Sequence, residues 1–365
     1  MPEHAPKPKP GILEIAPYVA GKQKAPGVDK PIKLSANENP LGCSLAARAA
    51  YLAAAERVHL YPDPRATALR EAMAADLKVE PERLVFGCGS DEIFGLICNV
   101  YLEPGDNVVQ GEYGFFAYRI AIRAAGGEVR FAPQPGLTFD VDKLLAMVDD
   151  RTRVVFIDNP GNPTGTWLKG EAVRRLHAQR PSRVVLVLDG AYADYARFDA
   201  EYDDGIELAR TAENVVVTGT FSKIHGLASL RVGWAYGPEE AISAIDRIRP
   251  PFNTSVQGQA AAVAALGDKD FVRRTLDLVE QERPILASRL EALGFEVPPS
   301  AANFVLPRFD AAAGRSAADV DAELTRRGVL VRGLRNYGLP DHLRVTVGLP
   351  EENRAFLAAM EEIVA

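Results

Sequence analysis

Short apolar runs, each closed by turn-forming and polar residues, constrain this chain more than any other feature. They lie at residues 154–157, before Asn159-Pro160, at 184–188, before Asp189-Gly190, and at 214–218, before Gly219-Thr220. These runs are largely β-branched and are apolar at successive rather than alternate positions. Such a run suits a strand buried on both faces, which is the habit of parallel sheets. Residues 84–86 and the pair Val108-Val109 add two more of the kind. Helical spacing fills the intervals. Leu69, Met73 and Leu77 share one face of a helix over 65–77, and 90–101 reads as a helix with Ser90 or Asp91 as its N-cap. The rhythm predicts an α/β fold: a large domain whose central sheet is mostly parallel and flanked by helices.

After Pro250-Pro251 the rhythm changes. Helical periodicity runs through 255–293, followed by strands at 303–308, 329–332 and 343–347. This predicts a smaller C-terminal α+β domain. Prolines at 2, 6, 8, 10, 17 and 26 forbid a continuous helix at the N-terminus. The expected division is an arm over 1–30, a large domain over 31–254 and a small domain over 255–365.

Charge and composition narrow the partners. The chain has 365 residues, with 42 basic and 49 acidic side chains, so 42 − 49 = −7. That balance argues against nucleic acid or an anionic membrane surface as the main partner. No charge-free apolar run approaches the roughly 20 residues of a membrane-spanning helix. The first ten residues are rich in Pro and Lys and lack the apolar stretch of a signal peptide, so a cytoplasmic location is expected. Cys43, Cys88 and Cys98 form no CxxC, and the histidines form no HExxH, so neither a disulfide framework nor a metal is expected.

Several segments carry chemistry. Gly87-Cys88-Gly89-Ser90-Asp91-Glu92 joins a strand to a helix. Its backbone N–H groups suit a phosphate, or it is a plain glycine-capped turn. The dinucleotide pattern GxGxxG fails because Glu92 stands at the third glycine. Asn159-Pro160-Gly161-Asn162-Pro163-Thr164-Gly165 follows a strand and either presents Asn162 to a ligand or closes the sheet end. Asp189, with Tyr192 three residues on, ends another strand; a buried carboxylate there calls for a cation such as a protonated pyridine nitrogen, unless it caps the next turn. Thr220-Phe221-Ser222-Lys223 precedes Arg231. A crowded lysine is a candidate imine-forming amine, and the two hydroxyls with Arg231 suit a phosphate dianion; the alternative is a solvated surface charge. Arg344 lies inside an alternating strand, where it grips an anion or joins a core ion pair.

Taken in order, these segments resemble the fold type I pyridoxal-phosphate aminotransferases, and among them the histidinol-phosphate aminotransferases. The resemblance runs over about residues 12–360. It rests on Leu34-Ser35-Ala36-Asn37-Glu38-Asn39-Pro40-Leu41-Gly42, Tyr61-Pro62-Asp63, Gly89-Ser90-Asp91-Glu92, the Asn159 to Gly165 loop, Ser222-Lys223 to Arg231, Ala302-Asn303-Phe304 and Leu343 to Gly348. Gly161 and Glu112 depart from it, at places where an Asn and a Pro are usual.

The resemblance implies pyridoxal 5′-phosphate as cofactor. Lys223 would bind it covalently and then move the substrate's Cα proton. Asp189 would pair with the ring nitrogen, making the ring an electron sink. Tyr192 and Asn162 would hydrogen-bond its phenolic oxygen. Tyr113 would stack on the ring, with Phe115 and Phe116 as alternatives. Ser90, Asp91 through its backbone, Thr220, Ser222 and Arg231 would hold the phosphate, joined by Tyr61 from the neighbouring subunit of a homodimer. Arg344 would grip the carboxylate of glutamate or 2-oxoglutarate, and Asn37, Asn162, Tyr18 and Arg332 would complete the substrate site. The implied reaction is amino transfer from L-histidinol phosphate to 2-oxoglutarate in histidine biosynthesis. Transamination of phenylalanine or tyrosine on the same fold is the alternative. A decarboxylating lyase would use the same cofactor without 2-oxoglutarate, and a cofactor-free binding protein would have no use for Lys223, Asp189, Asn162 and Arg231 together.

Overall fold

The computed structural model describes residues 6–310 and 315–365. In chain order its strands are β1 Ile32–Lys33, β2 Leu84–Cys88, β3 Asn107–Gly111, β4 Glu128–Ala132, β5 Thr152–Asp158, β6 Val185–Asp189, β7 Val215–Thr220, β8 Val232–Tyr236, β9 Phe304–Val305, β10 Val329–Leu330, β11 Arg332–Leu334 and β12 Leu339–Thr346. Seven form the main sheet in the order β2-β8-β7-β6-β5-β3-β4. All of these pairings are parallel except those of β8, which runs antiparallel to β2 and β7.

The doubly apolar strands explain the layering. In β5, Val154 and Phe156 face one core while Val155 and Ile157 face another. In β6, Val185 and Val187 divide from Leu186 and Leu188 in the same way. Helices Ser90–Tyr101 and Glu239–Ile248 cover one face through Ile93, Phe94, Ile97, Ile242 and Ile245; Thr67–Leu77 and Gly170–Gln179 cover the other through Leu69, Met73, Val173 and Leu176. Burying both faces hides the apolar side chains of the central strands from water, so their sequence has no reason to alternate.

The strands of the main sheet not expected from the sequence are β4 and β8. Strand β4 is the sheet edge, and Glu128 and Arg130 break its apolar run. Strand β8 carries Gly233 and Trp234 in place of β-branched residues. The helix expected over 90–101 forms, with a corrected cap: Gly89, at φ 78°, is the N-cap, and Ser90 and Asp91 are already helical.

A second core gathers β1 and β10, which pair in parallel, the antiparallel sheet β11-β12-β9, and helices Ala317–Arg326 and Pro350–Val364. The helical stretch after Ser255 is two helices, Val256–Gly267 and Lys269–Ala292. They are broken at Asp268, whose carboxylate caps the second by accepting from Phe271 N at 3.0 Å. The first packs Ala261, Ala262 and Leu266 into the main-sheet core, and the second places Val279, Leu286 and Leu290 in the other. Ile32 and Leu34 also belong with the second core. The apolar clusters therefore divide near Asp268 rather than at 254/255, and residues 32–34 cross back to the smaller unit. The first five residues of the expected arm lie outside the described residues. The remainder has a single 3-10 turn, Ile12–Glu14, and stays largely exposed. Lys22 ties it to the second core through Asp321, at 2.9 Å, and Thr325, at 2.8 Å.

Candidate active site

One cavity of about 210 Å³ lies at the carboxyl ends of β5, β6 and β7. Parallel sheets place sites at this edge because every strand there ends in a loop that is free to vary. It collects most of the residues singled out above: Tyr18, Asn37, Ser90, Asp91, Asn162, Asp189, Tyr192, Thr220, Ser222, Lys223, Arg231, Arg332 and Arg344.

Lys223 follows β7. Phe221 and Leu227 are buried in the main core and Ile224 in the second, which fixes the loop on both sides. Its Nζ lies 3.4 Å from Ala36 O and 5.7 Å from the centre of the Tyr192 ring. Burial, followed by the nearby charge of Arg344, pulls its pKa down to about 8. The amine therefore stands close to its neutral, nucleophilic form.

Asp189 is buried at the end of β6. Tyr118 donates to its Oδ2 at 2.6 Å, and Ala191 N donates to its Oδ1 at 3.1 Å. These donors are neutral, and burial pushes the carboxyl up to about 6. Tyr118 reaches it from the helix Phe116–Ala125, its ring stacked on Phe156 with centres 4.6 Å apart. Nothing in the sequence marks Tyr118, since it is the third residue of an amphipathic helix among other aromatics.

The turn from β2 into Ser90–Tyr101 points the first backbone N–H groups of that helix at the cavity. Gly89 and Gly233 keep it open: a Cβ on Gly89 would strike the Arg231 guanidinium, and one on Gly233 would strike Ser90 N. Arg231, at φ 53°, pairs with Asp91 at 3.0 Å. Thr220 Oγ1 and Ser222 Oγ lie 2.9 Å apart. Helix N–H groups, two hydroxyls and a guanidinium converge here as a dianion would require.

Asn162 is fixed from two sides. Its N–H donates to Asp158 Oδ2 at 2.6 Å, and its side-chain oxygen accepts from Arg344. That leaves the amide nitrogen to donate elsewhere. Gly161 fits this loop because a Cβ there would lie 2.6 Å from Thr164 Oγ1. Asn37, at φ 55°, donates from Nδ2 to Tyr192 Oη at 2.8 Å and from its N–H to Thr346 Oγ1 at 2.9 Å.

Arg332 and Arg344 face each other across the antiparallel pair β11–β12. Each is only 7% exposed. Neutral oxygens hold them: Val19 O for Arg332, at 2.6 Å, and Asn162 Oδ1 and Ser35 O for Arg344, the latter at 3.1 Å. Among the described residues the Arg344 Nε has no partner. Like charges directly opposite on paired strands repel, so this arrangement calls for an anion between them. The core ion pair considered for Arg344 is not what forms.

Two expected residues lie elsewhere. Tyr113 does not line the cavity; it packs beside Phe116, Leu306, Leu334 and Leu339, because Gln134 Oε1 accepts from its N–H at 2.7 Å and draws the turn outward. Phe115 lines the cavity in its stead. Tyr61 is 82% exposed, stacked on Phe252 with ring centres 4.6 Å apart, and faces away from this chain's own cavity.

A buried lysine at the sheet edge, a strand-end carboxylate and a dianion cradle on this topology define a class. The chain belongs to the aminotransferase class I and II family, whose model matches residues 29–360. Within that class it is 58% identical over 357 residues to histidinol-phosphate aminotransferase 1 of Caulobacter vibrioides, covering 98% of this chain and 99% of that protein. It is 49% identical over 362 residues to the histidinol-phosphate aminotransferase of Rhodopseudomonas palustris, covering 99% of each. The crystal structure of histidinol-phosphate aminotransferase from Sinorhizobium meliloti in complex with pyridoxal-5′-phosphate superposes with a TM-score of 0.88. It shares 28% identity, with 99% of this chain and 98% of that one covered.

Proposed function

We propose that this protein is a pyridoxal-phosphate-dependent transaminase. It moves the amino group of L-histidinol phosphate to 2-oxoglutarate, giving imidazole-acetol phosphate and L-glutamate in histidine biosynthesis. The observation that carries the substrate class is the buried, cross-strand Arg332–Arg344 pair, without carboxylate partners and opposite a separate dianion cradle in one cavity. One cradle serves the cofactor phosphate. The arginine pair accepts either a phosphate monoester or a dicarboxylate, the two anions the reaction alternates between.

The residues fit pyridoxal phosphate. Asp189 is buried with neutral donors and lacks a cationic partner, the role a protonated ring nitrogen fills. Ser90, Thr220, Ser222 and Arg231, with the Asp91 backbone N–H, would receive the phosphate, Phe115 lines the cavity that would take the ring, and Tyr192 and the amide nitrogen of Asn162 would donate to the phenolic oxygen. When bound, the cofactor supplies an electron sink for the pair left by the departing Cα proton. Lys223 anchors the cofactor through Nζ, and its amine, once freed, takes the proton from the substrate's Cα. Asp189 keeps the ring nitrogen protonated. Arg344 and Arg332 orient the substrate so that its Cα–H bond faces Lys223.

The proposal extends to a homodimer in which Tyr61 reaches the neighbouring phosphate cradle. It is supported by the exposure of Tyr61 beside Leu52, Val58 and Leu60, a run of apolar side chains facing outward. Among the described residues no helix is long and apolar enough to cross a membrane. A cytoplasmic location is the reading that a small-molecule biosynthetic reaction supports.

The deciding experiment mixes cofactor-loaded protein with L-histidinol phosphate, and separately with L-phenylalanine, without 2-oxoglutarate. Bleaching of the cofactor–lysine absorbance at far lower histidinol phosphate concentration is expected. The reverse order would move the substrate to the aromatic amino acids and leave the mechanism standing.

A further inference from the structure

Asp158 was not among the candidate residues, yet it lines the cavity. It ends β5 in register with Asp189 at the end of β6, so two carboxyl groups stand side by side on neighbouring strands. Both are buried. The partners of Asp189 are Tyr118, Ala191 N and, at 3.5 Å, the Thr218 hydroxyl. Asp158 Oδ2 accepts the Asn162 N–H at 2.6 Å, while its Oδ1 is buried without a partner among the described residues. Asn162 in turn receives Arg344. One chain of hydrogen bonds therefore runs from the Asp158 carboxyl, through the Asn162 backbone and side chain, to Arg344.

We propose that Asp158 is a positioning residue: as a neutral carboxyl beside Asp189, it anchors the Asn162 backbone and through it sets the amide and Arg344. This rests on the functional reading above for what Asn162 and Arg344 bind, and on geometry alone for the anchoring. A neutral carboxyl suits the place, because two adjacent buried carboxyl groups do not both ionise readily. Burial, opposed by the Asn162 N–H and reinforced by the neighbouring Asp189, pushes Asp158 up to about 7, above the value of about 6 for Asp189. The titratable groups that feel its charge are Asp189, Tyr118 and Tyr192; Lys223, Arg344 and Asp91 line the same cavity. Both carboxyl groups are pushed up, chiefly by burial, so the pair holds a proton more readily than either group would in water.

The test compares Asp158→Ala with Asp158→Asn. Asparagine keeps a neutral oxygen for the Asn162 N–H; alanine removes it. Alanine is expected to weaken pyridoxal phosphate binding to the apoprotein, and to raise KM for glutamate, by about tenfold each. Asparagine is expected to restore both to within about threefold. The infrared carboxyl bands of the apoprotein give a readout free of cofactor and substrate. Two buried groups should titrate in the wild type, at about 6 and about 7, and only the lower in Asp158→Asn. Wild-type binding in the alanine variant, impairment of the asparagine variant equal to alanine, or an unchanged infrared titration would each overturn the proposal. If alanine fails to fold, the asparagine variant and the infrared titration still decide. If the protein fails to transaminate histidinol phosphate while these results hold, the substrate reading falls and the anchoring role stands.

Discussion

The two sides of the cavity reach it by different routes. On the sheet side, Asp158, Asp189 and Thr220 each end one of three adjacent strands, and their placement follows from strand register. On the opposite side, Arg332 and Arg344 stand on the small antiparallel sheet and are held by oxygens from distant segments. Val19 is 313 positions from Arg332 and Ser35 is 309 from Arg344. The sheet side is made by secondary structure, and the arginine side by the docking of an arm, a loop and a second core. Chemistry that must not shift by fractions of an ångström sits on the first; recognition of two different anions sits on the second, where adjustment is useful. If that division is right, substitutions on the sheet side lower turnover and substitutions on the arginine side raise KM.

The largest expected effect is at Lys223. Lys223→Ala removes the amine that anchors the cofactor and moves the proton, so kcat is expected to fall on the order of 10³-fold or more. Circular dichroism should remain that of the folded wild type. Activity within about tenfold of wild type would break the assignment of the sheet side. Asp189→Asn comes next. Asparagine stabilises a protonated ring nitrogen poorly, and kcat is expected to fall by about 10²-fold while KM for histidinol phosphate moves little. A parallel rise in KM would show that the two sides are not separable.

The unequal legibility of the two sides has the same physical origin. Asp189, Asn162 and Lys223 follow apolar runs whose strand character is local, so the sequence places them at one sheet edge. Arg344 is conspicuous as a charge inside a strand, but its neighbour Arg332 and its oxygen partners depend on tertiary docking, which leaves no periodic trace. Asp158 hides because it is the last residue of its own strand, directly before the turn formers that draw attention to Asn162. Tyr118 hides in a helix whose aromatic residues all read as core. The turn that holds Tyr113, Phe115 and Phe116 is legible in sequence, but which of its rings lines the cavity is not: that depends on the contact of Tyr113 N–H with Gln134. The second core is misplaced by about one helix for a similar reason, because a helix carries its apolar stripe into whichever core it meets.

Arg332→Ala probes the docked side directly. It is expected to raise KM for histidinol phosphate about tenfold, through the lost charge-assisted contact, and KM for glutamate less, because Arg344 still holds a carboxylate. Equal increases would deny Arg332 a separate phosphate role and leave the pair as one undivided anion site.

The smallest expected effect is the one most able to join the two sides. Lys223 Nζ is lowered to about 8, with burial as the larger cause and the charge of Arg344 as the next. Only the deprotonated amine attacks an aldehyde, so capture of pyridoxal phosphate by the apoprotein should accelerate as pH rises and level off above about 8. In Arg344→Gln a positive neighbour is gone, the protonated amine is less disfavoured, and the midpoint should move upward. Burial remains, so the midpoint should move by less than about one pH unit and stay below that of a solvated lysine, about 10.4. Stopped-flow absorbance across pH measures it. An unmoved midpoint would mean that the docked arginines select the substrate without tuning the lysine. An upward shift would mean that closing the second core over the sheet both grips the anion and readies the nucleophile.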